Sequence, residues 1–230
     1  MSDTARTDDT AIDCAVVITG AAPLDAVAVA AIPDAAVVIA ADGGLDHALA
    51  AGIEPDVVIG DLDSITTEGL EWARRHSQVV RHSPDKDLTD TELAVRHALG
   101  LHPARIVLIA GGGDRLDHTI AAIGSLGDPA LTAAEQLECI WGGQHLHLLH
   151  GPARQSIPIS VGTTISLLAL HGRCEGVSIT GTRWELEDTD LEALSGVGVS
   201  NVTTASPVRV EVRDGVLCVF VNAEPPPPNR

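Results

Sequence analysis

Aromatic residues are scarce in this 230-residue chain, which has three Trp, one Phe and no Tyr. A flat heteroaromatic ligand would therefore find few side chains to stack on. Trp72 falls in a predicted helix and Trp141 in a predicted strand, where packing is the expected role. Trp184 is the remaining candidate for a stacking residue, although composition leaves a packing role open for it too.

Basic residues are also few, because 14 Lys and Arg stand against 32 Asp and Glu, for a formal charge of -18 at pH 7. Such a balance disfavours nonspecific binding to nucleic acid or to an anionic membrane, so we expect neither as a partner. An anionic substrate such as a nucleotide would need a metal ion and a few well-placed cations. For most of the acidic residues, solubility is a sufficient explanation.

The cysteines are widely spaced and include no Cys-x-x-Cys pair. They are Cys14, Cys139, Cys174 and Cys218. This spacing suggests neither a zinc knuckle nor a disulfide framework. We expect reduced, mostly buried thiols in a cytoplasmic protein.

Long apolar runs are missing as well. The apolar region 24–41 is interrupted by Asp25, Pro33 and Asp34, and the polar start of the chain lacks the order of a signal peptide. The sequence therefore predicts neither export nor membrane insertion.

No nucleotide-binding glycine motif of the common kinds is found. Gly-x-x-x-x-Gly-Lys-Ser/Thr does not occur, which excludes a P-loop at the motif level. Gly111-Gly112-Gly113 is followed by Leu116 where a dinucleotide fingerprint requires glycine, so NAD binding is disfavoured. A glycine-rich turn before a helix can still present N–H groups to a phosphate, but such a turn is more often a tight connection.

What the sequence does contain is a regular alternation of apolar strands and helices. The predicted strands are 14–19, 36–41, 56–59, 78–82, 105–110 and 137–141, and the predicted helices are 23–31, 45–51, 67–76, 89–99 and 116–126. The helix at 89–99 begins with Thr89-x-x-Glu92, a possible capping box. This order predicts a doubly wound, mostly parallel α/β sheet.

After residue 143 the pattern changes to short segments rich in β-branched residues. These predicted strands are 155–160, 163–170, 177–180, 208–212 and 216–221. Asp214-Gly215 predicts a two-residue hairpin between the last two. The sequence thus predicts a disordered N-terminus (1–11), an α/β domain (12–143), a smaller antiparallel β domain of sandwich or barrel type (144–223) and a Pro-rich tail (224–230).

Acidic residues follow the predicted strands at their carboxyl ends, where open α/β sheets bind ligands. Asp61 and Asp63 come directly after the apolar run 57–59, and side chains at i and i+2 of an extended chain share one face. They could converge on one hard cation, although a solvated loop pair or a helix cap is an open alternative. Other polar residues at or near strand ends are Asp42, Asp87, Asp90, Arg115 and Asp117.

Three histidines, His145, His147 and His150, suggest a metal site at first sight. Only His145 and His147 share a face of an extended chain, and a zinc site would need further ligands at suitable spacing. We therefore favour a partly exposed strand for this segment.

Taken together and in order, the motifs resemble those of the thiamine pyrophosphokinase family over about residues 14–222. They are Asp42-Gly43-Gly44, Pro55-Asp56 leading to Gly60-Asp61-Leu62-Asp63-Ser64, Lys86-Asp87-x-Thr89-Asp90, Gly112-x-x-Arg115-x-Asp117-His118, Gly181-x-x-Trp184-x-Leu186 and Ser200-Asn201. The resemblance implies a homodimer in which each chain has an α/β catalytic domain and a β domain. It also implies Mg²⁺-dependent transfer of the pyrophosphoryl group of ATP to the hydroxyl of thiamine, which releases AMP.

The same resemblance implies roles for individual residues. The metal-site acids would be Asp42, Asp61, Asp63 and Asp90, with Asp87 beside them. Nucleotide contacts would come from Gly43, Lys86, Thr89, Arg115 and His118. Asp117 would belong to the thiamine site and, with Asp61, Asp63 and Asp90, to the catalytic group, while Trp184, Ser200 and Asn201 would close the thiamine pocket from the partner subunit.

Two positions depart from the family pattern. Ala122 stands where the bacterial pattern often has Asn, and Trp141-Gly142-Gly143 replaces a more polar turn. These departures concern contacts to the acceptor more than the phosphate chemistry. A pyrophosphokinase for another hydroxymethyl heterocycle, such as a pterin, and a nucleotide- or thiamine-binding regulatory module without turnover are therefore alternative readings.

Overall fold

The computed structural model describes residues 12–110 and 116–222. Its first part consists of the strands β1 Cys14–Ile18, β2 Val37–Ala41, β3 Val57–Gly60, β4 Gln78–Arg81, β5 Arg105–Ala110 and β6 Gln136–Trp141. The helices between them are α1 Ala26–Ala30, α2 Gly44–Ala50, α3 Thr67–His76, α4 Asp90–Gly100 and α5 Leu116–Ser125, followed by a 3₁₀ helix, Pro129–Ala133. Apart from the 3₁₀ helix, each of these elements was predicted from the sequence, and the bounds of α3 and β5 are the same.

These six strands are parallel and lie in the order β4-β3-β2-β1-β5-β6. Successive strands are added on one side of β1 and then, from β5, on its other side, so the direction of winding reverses at β1. All five residues of β1 are buried, as helices on both faces require. The doubly wound sheet is confirmed, and its carboxyl edge brings the ends of β1, β2 and β3 side by side.

The start of α4 shows why polar side chains occupy this edge. Thr89 precedes the helix, and its Oγ1 accepts a hydrogen bond from the Glu92 N–H at 3.2 Å. A Glu92 carboxylate oxygen accepts in return from the Thr89 N–H at 2.7 Å. The predicted capping box is confirmed, and it fixes Asp90 as the first residue of the helix.

In the second part of the chain, residues 144–222, every regular element is a β-strand. Its elements are β7 Gln144–His150, β8 Ala153–Ile157, β9 Thr164–Ala169, β10 Cys174–Thr180, β11 Leu186–Leu191, β12 Asn201–Val202, β13 Val208–Val212 and β14 Val216–Asn222. Strands β7, β14, β9 and β12 continue the large sheet beyond β6 by antiparallel pairing, which makes it ten-stranded. The order β11-β10-β13-β8 forms a second, antiparallel sheet. A large mixed sheet with a smaller antiparallel sheet confirms the predicted fold class.

The large sheet runs through both predicted domains, because β6 and β7 pair on either side of residue 143. One face of this sheet carries two different cores. Ile140 belongs to a core that includes Ala28 of α1, whereas Leu149 and Val219 belong to a core that includes Val210 of the second sheet. The division into domains at residue 143 stays a prediction.

The predicted hairpin at Asp214-Gly215 is wrong. Its two strands belong to different sheets, since β13 pairs with β8 and β10 whereas β14 pairs with β7 and β9. Gly215 has a φ of +93°, and its carbonyl accepts from the Gly151 N–H at 2.8 Å. Asp214 instead forms an isolated bridge with Glu175. Each strand pairs with partners elsewhere, and pairing between distant strands cannot be predicted from a local turn signal.

Two further expectations concern the burial of the cysteines and insertion into a membrane. All four cysteines are free and buried, as predicted. Among residues 12–110 and 116–222, no helix has the length and hydropathy needed to cross a membrane.

Candidate active site

Three carboxylates meet at the carboxyl edge of the large sheet. Asp42 follows β2, Asp61 follows β3 and Asp90 begins α4. One oxygen of each lies within 4.8 Å of one oxygen of the other two. Hard divalent cations prefer oxygen ligands of this kind, so the acid cluster, as we call these three residues, has the composition of a Mg²⁺ site.

A glycine makes this approach possible. Gly60 ends β3 with a φ of +150°, which L side chains rarely adopt. A Cβ at this position would lie 3.0 Å from Asp90 Oδ1 and 3.1 Å from the Asp42 Cβ. The missing side chain therefore leaves room for the acids to converge.

A second close approach explains the Asp42-Gly43-Gly44 motif. A Cβ on Gly44 would lie 2.3 Å from the carbonyl oxygen of Ile18. Only glycine lets the start of α2 pack so closely against the end of β1. This packing holds Asp42, which has a positive φ of 46°, at the rim of the sheet.

Among the described residues, one cation, Lys86, lies between the acids. Lys86 Nζ lies 3.2 Å from Asp61 Oδ2 and 2.9 Å from Asp90 Oδ1, and the Lys86 side chain is only 15% exposed. Burial disfavours the ammonium charge, but the contacts with Asp90 and Asp61 outweigh it and raise the pKa of Lys86. Three carboxylates against one ammonium still leave an excess of negative charge.

The environment of Asp42 disfavours the negative charge of its carboxylate. Burial raises the pKa of its carboxyl, and the neighbouring Asp90 and Asp61 raise it further, against the lowering effect of the Ser64 hydroxyl and the Gly43 N–H. Asp42 Oδ1 is buried, and no described residue donates a hydrogen bond to it. A buried oxygen without a donor beside two further carboxylates is what a bound cation would satisfy.

Asp61 has the opposite environment. The Asp63 N–H lies 3.3 Å from Asp61 Oδ1, and this hydrogen bond, with the Lys86 ammonium, lowers the pKa of Asp61 despite partial burial. Asp61 is therefore held ionised before any metal binds.

The expectation that Asp61 and Asp63 share a face is wrong. Leu62 has a φ of +71°, so the chain turns at this point instead of continuing as a strand. The Asp63 side chain is exposed and accepts a hydrogen bond from Ser64 Oγ at 3.0 Å. Asp63 lies outside the acid cluster because the i, i+2 argument holds only for an extended chain.

A cleft of about 420 Å³ opens beside the cluster. Of the predicted site residues, its lining includes Asp42, Gly43, Thr89, Asp90 and His118. The sequence analysis missed Thr19, Gly20 and Ala21, and it assigned Trp141 to packing only. The available signal for the first three was their position after β1, where the direction of winding reverses. Ala122, one of the departures from the family pattern, also lines the cleft.

The remaining predicted residues near the cleft have mixed positions. Asp87 is exposed next to Lys86, and the Thr89 hydroxyl is engaged in the capping box. Asp117 and His118 lie exposed in the first turn of α5. Arg115 and the glycines at 111–113 lie outside the described residues.

Trp184, Ser200 and Asn201 lie close together, near the edge of the large sheet that is formed by β12. Asn201 is buried, and its Oδ1 accepts from the Trp184 N–H at 3.1 Å while its Nδ2 donates to Thr182 Oγ1 at 3.1 Å. Asn201 therefore anchors the backbone that presents Trp184. The indole is 56% exposed, and the Arg183 guanidinium lies 4.9 Å from the ring centroid.

A single chain keeps these two groups of residues apart. Asn201 lies in β12, and β12 is eight strand positions from β3 in the large sheet. With neighbouring strands about 4.8 Å apart, this is roughly 38 Å measured along the sheet. The Trp184 loop therefore does not reach the acid cluster of its own chain.

Comparison with known families identifies the fold. The model of the thiamin pyrophosphokinase catalytic domain matches residues 30–138, and that of the thiamin pyrophosphokinase vitamin B1 binding domain matches residues 147–217. The chain belongs to the thiamin pyrophosphokinase family. The first match contains the whole acid cluster and the second contains Trp184, Ser200 and Asn201.

Individual proteins of the thiamin pyrophosphokinase family are also similar to this chain in sequence. Thiamine pyrophosphokinase 1 of Oryza sativa subsp. japonica is 24% identical over 169 residues, which are 68% of this chain and 62% of that protein. Thiamine pyrophosphokinase 2 of Arabidopsis thaliana is 26% identical over 170 residues, 69% of this chain and 62% of that protein. The matched region thus spans less than two thirds of the length of these curated relatives.

Solved structures show the same fold. The thiamine pyrophosphokinase of Bacillus subtilis superposes with a TM-score of 0.80 at 23% identity, covering 93% of this chain and all of that one. The Candida albicans enzyme superposes with a TM-score of 0.77 at 16% identity, covering 92% of this chain and 90% of that one. At such identities the likeness concerns architecture, and the activity has to be argued from the site.

Proposed function

We propose that this chain catalyses the Mg²⁺-dependent transfer of the pyrophosphoryl group of ATP to the hydroxyl of thiamine, giving thiamine diphosphate and AMP. The observation that carries this proposal is the acid cluster, with the donorless oxygen of Asp42, beside a cleft in a chain of this family. An acidic protein that handles a polyphosphate needs such a cation site to offset its own charge.

The residues of the acid cluster fit Mg²⁺. All three are carboxylates, and Mg²⁺ in proteins usually takes one or two of these directly and fills its octahedron with water and phosphate oxygens. Asp42, Asp61 and Asp90 would hold the ion, and the ion supplies charge neutralisation at the phosphates. Asp63 and Asp87, on the exposed side of the cluster, would act through water.

The protein's own groups would position the reactants. Lys86, already charged and next to Asp61 and Asp90, supplies a fixed cation for the phosphates. The cleft, with Thr19, Gly20 and Trp141 on its wall, would hold the nucleotide, and Thr89 and His118, which also line the cleft, would contact it. Arg115, which lies outside the described residues, would add a further contact by the family resemblance. In-line attack by the thiamine hydroxyl on the β-phosphorus then depends mainly on alignment and electrostatics. The general base would be Asp117 or an acid of the cluster.

A homodimer with a shared active site would bring the two groups of residues together. Trp184, Ser200 and Asn201 of one subunit would cover the thiamine bound near the acid cluster of the other. Exposed apolar side chains support such a contact. One group lies in the second part of the chain and consists of Trp184, Leu194, Val197 and Val199. Another lies on α5 next to His118 and consists of Leu116 and Ile120. A cytoplasmic location, where ATP and Mg²⁺ are plentiful, remains a prediction.

Two alternatives lead to different products. A pyrophosphokinase for another hydroxymethyl heterocycle would release AMP with that acceptor and not with thiamine. A regulatory module would bind nucleotide or thiamine and form no product. Incubation of the full chain with ATP, Mg²⁺ and a panel of alcohol acceptors, followed by separation of the nucleotides, distinguishes these cases. AMP formed only with thiamine is expected, whereas ADP or no product would overturn the proposal.

A further inference from the structure

A second group of metal-binding side chains lies on the large sheet away from the acid cluster. Glu138 of β6 stands directly opposite His147 of β7, and His145 lies two residues before His147 on the same face. This face carries one core around Ile140 and another around Leu149. The three polar residues occupy the seam between these two cores.

The geometry of this group is that of a small ligand set. One nitrogen of each histidine and one Glu138 oxygen lie within 4.8 Å of one another. His145 Nε2 is 2.7 Å from Glu138 Oε2, and His147 Nδ1 is 3.9 Å from Glu138 Oε1. Ligand atoms about 2.0 to 2.1 Å from a tetrahedral zinc ion lie about 3.3 Å apart, so a bound ion would require a small movement of each histidine, His145 away from Glu138 and His147 towards it.

Two neighbours contact these residues. Arg105 donates a hydrogen bond to Glu138 Oε2 at 2.6 Å, as outer partners of metal-bound carboxylates do. The Gln155 amide nitrogen of β8 lies 3.3 Å from His147 Nδ1, the nitrogen that faces Glu138, so a metal bound there would replace this contact. All five side chains line a cavity of about 630 Å³, which leaves space for a further ligand.

We propose that Glu138, His145 and His147 bind a zinc-class divalent transition metal ion, with water from the cavity as a fourth ligand. Two imidazoles and one carboxylate suit Zn²⁺ and its neighbours in the first transition row, whereas Mg²⁺ and Ca²⁺ prefer all-oxygen sites. The site is independent of the proposed function, since it shares no residue with the acid cluster.

The alternative is that the same residues form only hydrogen bonds and packing contacts with one another. In that case His145 Nε2 and Glu138 Oε2 are hydrogen-bond partners, the two stacked imidazole rings, with centroids 4.3 Å apart, are packing contacts, and no metal binds. Metal titration separates the two cases, because residues that only contact one another bind no Zn²⁺ tightly.

The test is a Zn²⁺ titration of the full chain by calorimetry, after treatment with a chelator and in the presence of saturating Mg²⁺ to fill the acid cluster. Wild type is compared with His145→Gln, His76→Gln and Asp61→Asn. His145 is partly exposed, so its replacement is tolerable, and His76 is an exposed histidine on α3 that serves as the matched control. Loss of one ligand should weaken binding at least about 100-fold, since even outer-layer partners contribute about 10- to 100-fold.

The expected result is one tight Zn²⁺ per chain in wild type, in His76→Gln and in Asp61→Asn, but not in His145→Gln. Co²⁺ in place of Zn²⁺ should give the intense visible bands of a tetrahedral site in the unmutated chain, a reading that does not depend on any variant folding. Equal Zn²⁺ affinity in wild type and His145→Gln, loss of the site in Asp61→Asn, or a Co²⁺ spectrum of octahedral type only would overturn the proposal.

Discussion

Gly60 and Asp90 approach so closely that a Cβ on Gly60 would lie 3.0 Å from Asp90 Oδ1. The backbone of Gly60 also has a φ of +150°, which is strained for any other residue. The residue that ends β3 therefore determines whether the acids of the cluster can converge.

Gly60→Ala should disrupt the acid cluster from within. We expect Mg²⁺-dependent turnover to fall at least about tenfold, because small displacements of catalytic groups carry large costs. The melting temperature should fall as well, through the strained φ. Gly100→Ala is the matched control, since nothing lies within 4 Å of its Cβ position and it lies at the end of a helix. Equal activities in the two variants would show that the approach at Gly60 has no bearing on turnover.

Asp61→Asn and Asp63→Asn should differ in their effect on turnover. Asp61 is in the cluster and Asp63 is exposed outside it. We expect Asp61→Asn to reduce kcat on the order of 10²-fold or more, as is typical when a charge-stabilising group is lost. Asp63→Asn should cost far less. Steady-state kinetics at limiting Mg²⁺ checks this, and a larger loss for Asp63→Asn would mean that Asp63 binds the ion instead.

Asp42→Asn should make the metal-free protein more stable and less active at once. Burial and the adjacent Asp90 and Asp61 raise the pKa of Asp42, so its ionised form costs folding free energy at neutral pH. The neutral amide removes that cost but also a metal ligand. Thermal melting in a chelator, with and without added Mg²⁺, is the measurement. A lower melting temperature in the chelator would contradict the electrostatic argument.

The partly buried His150 at the end of β7 should make the protein sensitive to mild acid. His150 Nε2 lies 2.9 Å from the Leu126 carbonyl, and burial, partly opposed by this contact, lowers the pKa of His150. The unfolded chain, with a histidine pKa of about 6.5, then binds a proton more readily than the folded chain. Stability is therefore complete above about pH 6.5 and falls as the pH drops below it.

His150→Gln should reduce this dependence, because Gln can still donate to Leu126 and takes up no proton. The dependence that remains is expected from His147 and His97, whose pKa values burial also lowers. Melting temperatures between pH 7 and pH 5, on the order of the histidine range, provide the comparison. His76→Gln controls for the loss of one exposed imidazole. An unchanged slope in His150→Gln would assign the acid sensitivity to another group.

Sequence reasoning found the first part of the fold well because its signals are local. The apolar period and the Thr89-x-x-Glu92 capping box determine α4, and they need no partner from elsewhere. Strand pairing in the second part was not accessible, since Asp214-Gly215 has the residues of a hairpin and connects two sheets instead.

The same limit applies to the sites. The positions of Asp42, Asp61 and Asp90 at strand ends predicted their meeting, since parallel strands end at a common edge. The turn at Leu62, which moves Asp63 away, depends on local backbone conformation that no residue-type rule reported. Glu138 was missed as a partner of His145 and His147 because it lies on another strand, and only the β6–β7 register brings it opposite His147.

Trp184→Ala should impair the use of thiamine and leave that of ATP nearly unchanged. Stacking and cation–π attraction on an exposed indole are worth about 1 to 2 kcal/mol, so kcat/KM for thiamine should fall roughly five- to thirtyfold. Trp72→Ala is the control, because Trp72 packs in a core and stacks on His76. It should lower stability and affect both substrates alike. Equal losses for thiamine and ATP in Trp184→Ala would remove Trp184 from the site.

Two groups of residues, eight strand positions apart in one chain, are proposed to form one active site between two chains. Mixing Trp184→Ala chains with Asp61→Asn chains, after dissociation and reassociation, tests this shared site. With random pairing, half of the dimers are hybrids, and each hybrid has one site with both wild-type halves. We expect recovery of about a quarter of the wild-type activity per site. Activity that stays at the average of the two separate variants would show that the two groups of residues do not share a site.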